Sequence, residues 1–158
     1  MALDLDTVRT TMPTAVPMVG TLAMEYLELS PQHAVVRLPD DPKFHNHIGG
    51  PHAGAMFTLA ETASGAIVLA NYGEMLGEVT PLAVEATIRY LKVARGPVTA
   101  TARMASEADS VIVTLKAGGR PEFHVDVELT TGEGDERVVT GAVSVLWTLK
   151  PNRKPETA

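Results

Sequence analysis

From Ala53 to Ala70 the chain reads AGAMFTLAETASGAIVLA, and the only formal charge in this run is Glu61. No proline interrupts it; Pro51 stands just ahead and Asn71-Tyr72-Gly73 ends it. A run this long suits a helix rather than a strand. A helix that is apolar almost all round is buried among its neighbours instead of lying on a surface. A membrane span needs about 20 strongly apolar residues. This run is shorter, rich in Ala, Gly, Ser and Thr, and carries a carboxylate near its middle. The expectation is a core helix, with no membrane partner. A carboxylate there is costly to bury unless it is paired or used. Reach to the surface, an arginine partner or a chemical role would account for it.

The remaining segments decide what covers the helix. Residues 4–12 suit a short leading helix capped by Asp4 or Asp6, which Pro13 and Pro17 keep short. Leu22–Leu29 and Ala34–Leu38 read as strands joined at Ser30-Pro31-Gln32. Beyond Gly77 the pattern changes to period two. Thr80, Leu82, Val84, Ala86, Ile88 and Tyr90 share one face, and Glu85, Thr87 and Arg89 the other. Gly96-Pro97 turns into an alternating strand from Val98 to Met104, and Val111–Leu115 is a short β-branched run. Phe123–Leu129 and Val139–Leu149 alternate on either side of a hairpin at 132–135. Strands with one apolar face need a cover on that face, and the single long helix is large enough to supply it. The expected class is α+β, an antiparallel sheet wrapped around one long central helix. A chain of 158 residues fits one domain: residues 19–150, after a helical lead-in at 1–18 and before a flexible polar tail at 151–158.

Composition removes several functions. The chain has no cysteine, which excludes disulfides, thiolate nucleophiles and cysteine-based metal sites. A net charge of −6 without a basic cluster argues against nucleic acid. The start, MALDLDTVRT, lacks the basic residues and apolar core of a signal peptide, so a cytoplasmic location is expected. His45, His47 and His52 lie near Asp40 and Asp41, but H-x-H in a glycine loop is loosely specific for metal. Loop hydrogen bonding is expected there, and no metal. Ser64 lacks a G-x-S-x-G setting, and Ile48-Gly49-Gly50-Pro51 matches no nucleotide loop.

The chemistry gathers at the start of the long helix. Its first backbone N–H groups lack intrahelical acceptors, and the helix dipole adds positive potential; such an end suits a developing oxyanion. Small residues at Ala53 and Gly54 let a carbonyl approach closely. Glu61 follows Gly54 by nearly two turns and shares its face, roughly 10 Å along the axis. One carbonyl does not reach both within a single chain. Two antiparallel copies of the helix would bring each Glu61 to the other's helix start.

Asn46-x-x-Gly49-x-x-His52-Ala53-Gly54, with Glu61 beyond it, resembles the N-x-x-G-x-x-H-G-G…D/E signature of hot-dog-fold acyl-CoA thioesterases. The nearest branch is the phenylacetate-pathway and 4-hydroxybenzoyl-CoA thioesterase-like group. TPLAVEATIRYLKVARGPVTATARM is similar to that family's segment after the central helix, and the likeness spans roughly residues 19–150. The resemblance implies a homodimer, with a homotetramer as a further pairing, and active sites at the dimer interface. It implies that the Ala53 N–H polarises the thioester carbonyl and that Glu61 of the facing subunit acts as general base or nucleophile. Asn46 would position water or substrate, and His52 would shape the helix start. Gly49 and Gly54 would line the substrate site, and Arg89, Lys92 and Arg95 are candidates for the coenzyme A phosphates, although a solvated strand face explains them better. No cofactor is implied beyond the coenzyme A of the substrate. Met24, Met56 and Met104 suit core filling better than an acyl pocket, and Trp147 and Phe123 suit the core. One departure is His-Ala-Gly in place of the usual His-Gly-Gly. Ala53 keeps its N–H while adding a methyl group, so an acyl-CoA sensor or carrier without catalysis is the alternative. A hot-dog dehydratase would need an Asp/His pair in a pattern not found here.

Overall fold

The structure, a computed structural model, describes residues 4–152. Helix α1 covers Leu5–Ala15, and the Asp4 carboxylate caps it by accepting from the Thr7 N–H at 2.7 Å. Pro13 does not end α1 as expected: the helix continues to Ala15, where the lost donor interrupts only the closing turn. Pro17 opens a second short helix, α2 (Pro17–Thr21). Strand β1 (Glu25–Leu29) starts later than expected, because Leu22 still bonds back to the Met18 carbonyl and Ala23 adopts a φ of 50°. It pairs antiparallel with β2 (Ala34–Leu38).

The long helix α3 runs Ala53–Tyr72, and Gly73 stays helical (φ −58°) as the chain tightens into a 3-10 turn to Met75. Then come β3 (Val79–Tyr90), β4 (Val98–Met104), α4 (Ala108–Lys116), β5 (Glu122–Thr131) and β6 (Val138–Pro151). The six strands form one antiparallel sheet in the order β1-β2-β4-β5-β6-β3. It curls around α3, which lies against β2, β4 and β5. Small residues at Ala60, Ala63 and Ala66 bring the helix close to the sheet, while Leu59 and Ile67 fill the core with Val36, Val125 and Leu129. Ser64 is buried but satisfied: its hydroxyl donates to the Glu61 carbonyl at 2.7 Å and accepts the Trp147 indole N–H at 3.1 Å. Among the described residues Ala53–Met75 is the one helix long and apolar enough to cross a membrane, and it is the helix the sheet encloses. Phe57, Glu61, Gly65 and Leu69, spaced by four, are only half-buried and form the stripe turned away from the sheet.

Two local expectations are corrected. The run Val111–Leu115 lies in helix α4, not in a strand. Val111, Ile112 and Leu115 pack toward the core while Val113 and Thr114 face out, a helical spacing that overrides the β-branched composition. Within β3 the alternation breaks at a bulge between Ala83 and Glu85, with Val84 as the extra residue. Ala86 and Ile88 face the core opposite Val145 and Val143, as expected, while Tyr90, opposite Gly141 on the same face, stays half exposed with its hydroxyl on the Ala53 carbonyl. Before the bulge the phase inverts. Pro81 and Ala83 oppose the inward Leu149 and Trp147, so Thr80 and Leu82 turn outward. One added residue swaps the faces of everything on its far side.

Pro151 closes β6, and Asn152 is tied to it: its side chain bonds Thr80 and the Leu76 carbonyl, and its N–H bonds the Glu78 carbonyl. The rest of the expected tail, and residues 1–3 of the lead-in, lie outside the described residues.

Candidate active site

The loop before α3 is held from inside by Asn46. Its side-chain carbonyl accepts from the N–H groups of Ile48 (3.0 Å) and Gly50 (3.2 Å), and its amide donates to the Pro51 carbonyl at 3.3 Å. Gly49 takes φ +74°, and Gly50 passes so close to the Ala94 carbonyl that a Cβ would lie 2.5 Å from its oxygen. Arg95 anchors the loop from outside, donating to the Ile48 carbonyl at 2.6 Å. The loop delivers His52 as the N-cap of α3, where its Nδ1 accepts the Gly54 N–H at 2.9 Å. Ala53 is the first helical residue and is exposed. Its carbonyl accepts the Tyr90 hydroxyl at 2.9 Å, pinning the helix start to the end of β3.

Glu61 lies about 12 Å further along the helix axis. Among the described residues its carboxylate has no hydrogen-bond or ion-pair partner, so an arginine does not account for it. Burial raises its pKa above the usual carboxylate value. It borders a cavity of about 410 Å³ between α3 and the α1–α2 segment, bounded by Met12, Val19, Gly65, Val68, Leu69 and Trp147 among others. The walls are apolar, with Tyr26, Thr62 and Glu61 supplying the polar groups. That is the usual make-up of a small-molecule site.

A larger hollow of about 680 Å³ lies on the outer face of the sheet, lined by Arg89, Arg103, Arg137, Asp126 and Glu128. Its charges are mixed, Arg137 pairs with Glu128, and it is on the far side of the sheet from α3. The cavity at Glu61 is smaller but contains the unpaired carboxylate. It is the better candidate.

The structure thus gathers Asn46, Gly49, His52, Ala53, Gly54 and Arg95 at the helix start. Glu61 is set apart along the same helix. Arg89 faces the outer hollow, opposite in alternation to Tyr90, and Lys92 is exposed on the turn after β3. His45 bonds Asp40 at 2.6 Å, and no cluster of three or more His, Asp or Glu among the described residues could hold a metal. Met24 and Met56 are in the core and Met104 packs at its edge; it is Met12 that reaches the cavity. Sequence reasoning overlooked Tyr26, Gly65 and the part played by α1 and α2. Only a glycine in mid-helix next to an acidic residue hinted at an open space.

One antiparallel sheet curled about one long helix is the hot-dog fold. A family described as a domain of unknown function, DUF4442, matches residues 6–147, a span that takes in α1 and α2; the chain belongs to that family. A Pseudomonas aeruginosa protein of unknown function, described as a probable thioesterase, has a similar structure. It is 25% identical, with a TM-score of 0.82 over 96% of this chain and 99% of its own. A thioesterase family protein from Silicibacter pomeroyi, 17% identical, superposes with a TM-score of 0.74 over 94% of this chain and 100% of its own. A mutant thioesterase from Pseudomonas aeruginosa, 18% identical, gives 0.71 over 96% and 97%. No curated protein matches the chain.

Proposed function

We propose that this protein hydrolyses an acyl-CoA or similar thioester, as a homodimer that joins along β3. The observation that carries the reading is the unpaired Glu61 carboxylate beside an apolar cavity on the central helix. A half-buried carboxylate without a partner costs stability, and a raised pKa in a cleft points to a group kept for chemistry. The thioesterase descriptions of structural relatives point the same way.

The dimer completes the site. Strand β3 is an unpaired sheet edge twelve residues long, carrying exposed Leu82, Val84 and Tyr90. A long apolar edge invites pairing with another chain. Antiparallel pairing of two β3 edges sets the two α3 helices side by side, so that Glu61 faces the partner's Ala53. The acyl group enters the cavity of one chain. The thioester oxygen then accepts from the backbone N–H at the other's helix start, where the dipole favours the negative charge of the tetrahedral intermediate. Glu61 takes a proton from water as the water oxygen adds to the carbonyl carbon. The C–S bond breaks, and the proton leaves on sulfur as the free thiol.

The binding-only reading draws on the Ala53 methyl group at the carbonyl's approach. Thiol release from a panel of short, medium, long and aromatic acyl-CoAs decides between the two. Turnover that collapses in Glu61→Gln while acyl-CoA still binds supports hydrolysis. Saturable binding without turnover by the wild type supports the sensor or carrier. Loss of binding together with turnover in Glu61→Gln would make Glu61 structural.

A further inference from the structure

Tyr26 lies on β1 with 3% of its surface exposed, and its phenol oxygen is the one buried side-chain polar atom among the described residues that lacks a hydrogen-bond partner. Buried hydroxyls are nearly always paired. A phenylalanine would fill the same space without leaving a donor unsatisfied. The position is also firmly held. Arg9 of α1 donates through Nε to the Tyr26 carbonyl at 2.7 Å and through Nη2 to the Leu27 carbonyl at 3.3 Å. These bonds hold the Tyr26 backbone, while its hydroxyl has no partner among the described residues.

Tyr26 borders the same cavity as Glu61. Among the described residues they are the only titratable side chains lining it: α1 and α2 contribute Met12 and Val19, β3 Pro81 and β6 Trp147, while Arg9 is engaged with backbone. The two are near enough to feel each other. Burial first, and then the Glu61 charge, push the Tyr26 phenol up to about 12, so it remains a protonated donor under all ordinary conditions. They do not bond to one another. A small group that accepts from the phenol and donates to the carboxylate can join the two, and water is the simplest such group.

We propose that Tyr26 and Glu61 together hold the attacking water of thioester hydrolysis, Tyr26 donating to its oxygen and Glu61 accepting its proton. The assignment rests on the hydrolytic reading above. Tyr26 keeps its own proton throughout: the water oxygen bonds to the carbonyl carbon, one water proton moves to Glu61 and then to the departing sulfur, and the C–S bond breaks. The phenol fixes where the water's lone pair points, which a carboxylate alone does not. An O–H group has one other source, a hydroxyl on the acyl chain near its carbonyl.

The test is Tyr26→Phe, assayed with a straight-chain acyl-CoA and its 3-hydroxy counterpart, with the Glu61 carboxyl titrated by NMR and thermal unfolding followed in parallel. Expected are a kcat lower by about 10- to 100-fold for both substrates, a nearly unchanged KM, and an unfolding midpoint no lower than wild type. Loss of the donor removes support for the Glu61 anion, so the carboxyl titrates at higher pH and the acid limb of kcat/KM moves up with it. A loss confined to the 3-hydroxy substrate would give the phenol to a substrate hydroxyl and overturn the assignment. A fall in kcat with a lower unfolding midpoint and an unmoved acid limb would make Tyr26 structural, which also overturns it. If the wild type hydrolyses no thioester, the hydrolytic reading fails by itself. The Glu61 titration then still decides whether the pair shares an O–H group: an unshifted carboxyl in Tyr26→Phe refutes it.

Discussion

Gly65 sits in the middle of α3, one turn beyond Glu61, on the wall of the cavity. Glycine inside a helix costs about 1 kcal/mol relative to alanine. Packing does not demand it here: a Cβ at this position would meet only the Trp147 ring, at 3.6 and 3.7 Å, which is ordinary contact. Gly65→Ala is therefore expected to stabilise the fold by about 1 kcal/mol, or a rise in Tm of about 2–4 °C for a domain of this size. The same methyl group projects into the cavity beside Glu61. One methylene-sized change in an apolar pocket alters discrimination by about 1–3 kcal/mol, so KM for the bulkiest acyl groups should rise about tenfold while short acyl groups are spared. Urea unfolding gives the first quantity through a higher midpoint at unchanged m, and steady-state kinetics across an acyl series give the second. A less stable Gly65→Ala protein would show that packing enforces the glycine. A more stable protein with unaltered kinetics on every substrate would show that the acyl group does not enter this cavity.

Other outcomes follow from the same contacts. The Glu61 pKa is raised by burial, so its contribution favours folding below the unfolded carboxylate range and is lost as pH rises through the folded value. Glu61→Gln should thus be more stable than wild type at neutral pH, with the gap closing in acid; urea midpoints across that range would expose a gap of the wrong sign. Replacing the helix cap, His52→Ala, removes the acceptor of the Gly54 N–H and should cost about 1 kcal/mol, most of it restored by His52→Asn; thermal unfolding and thioesterase rate should fall together. Placing a charge on the exposed edge of β3 with Val84→Lys should yield monomers on sedimentation and abolish turnover without unfolding, whereas an active monomer would refute the shared site.

The central helix was legible because its composition leaves no face for water, and β5 and β6 because strict alternation admits one arrangement. The loop from Asn46 to Gly54 was legible as a motif, yet its internal bonding was not. That the Asn46 side chain is committed to Ile48, Gly50 and Pro51 emerges only once the loop closes. Helix α4 was hidden because Val111, Ile112 and Val113 favour extended backbone, and only burial on one side selects the helix. Tyr26 was hidden for a different reason. A lone aromatic in a strand reads as core, and nothing in the sequence says that its hydroxyl will be stranded next to a carboxylate.

The bulge in β3 also bears on how the chain tolerates changes in length. With Val84 removed, Ala83 facing in and Glu85 facing out would follow each other as ordinary neighbours. Both halves of the strand would keep their present sides. An insertion or deletion anywhere else in β3 would turn one half inside out, sending Ile88 to solvent or Thr80 into the core. Residue 84 is thus the one place along this edge where the chain can shorten by a single residue without rewriting the rest of the strand. The expected difference is in curl alone, since a bulge sharpens the local twist.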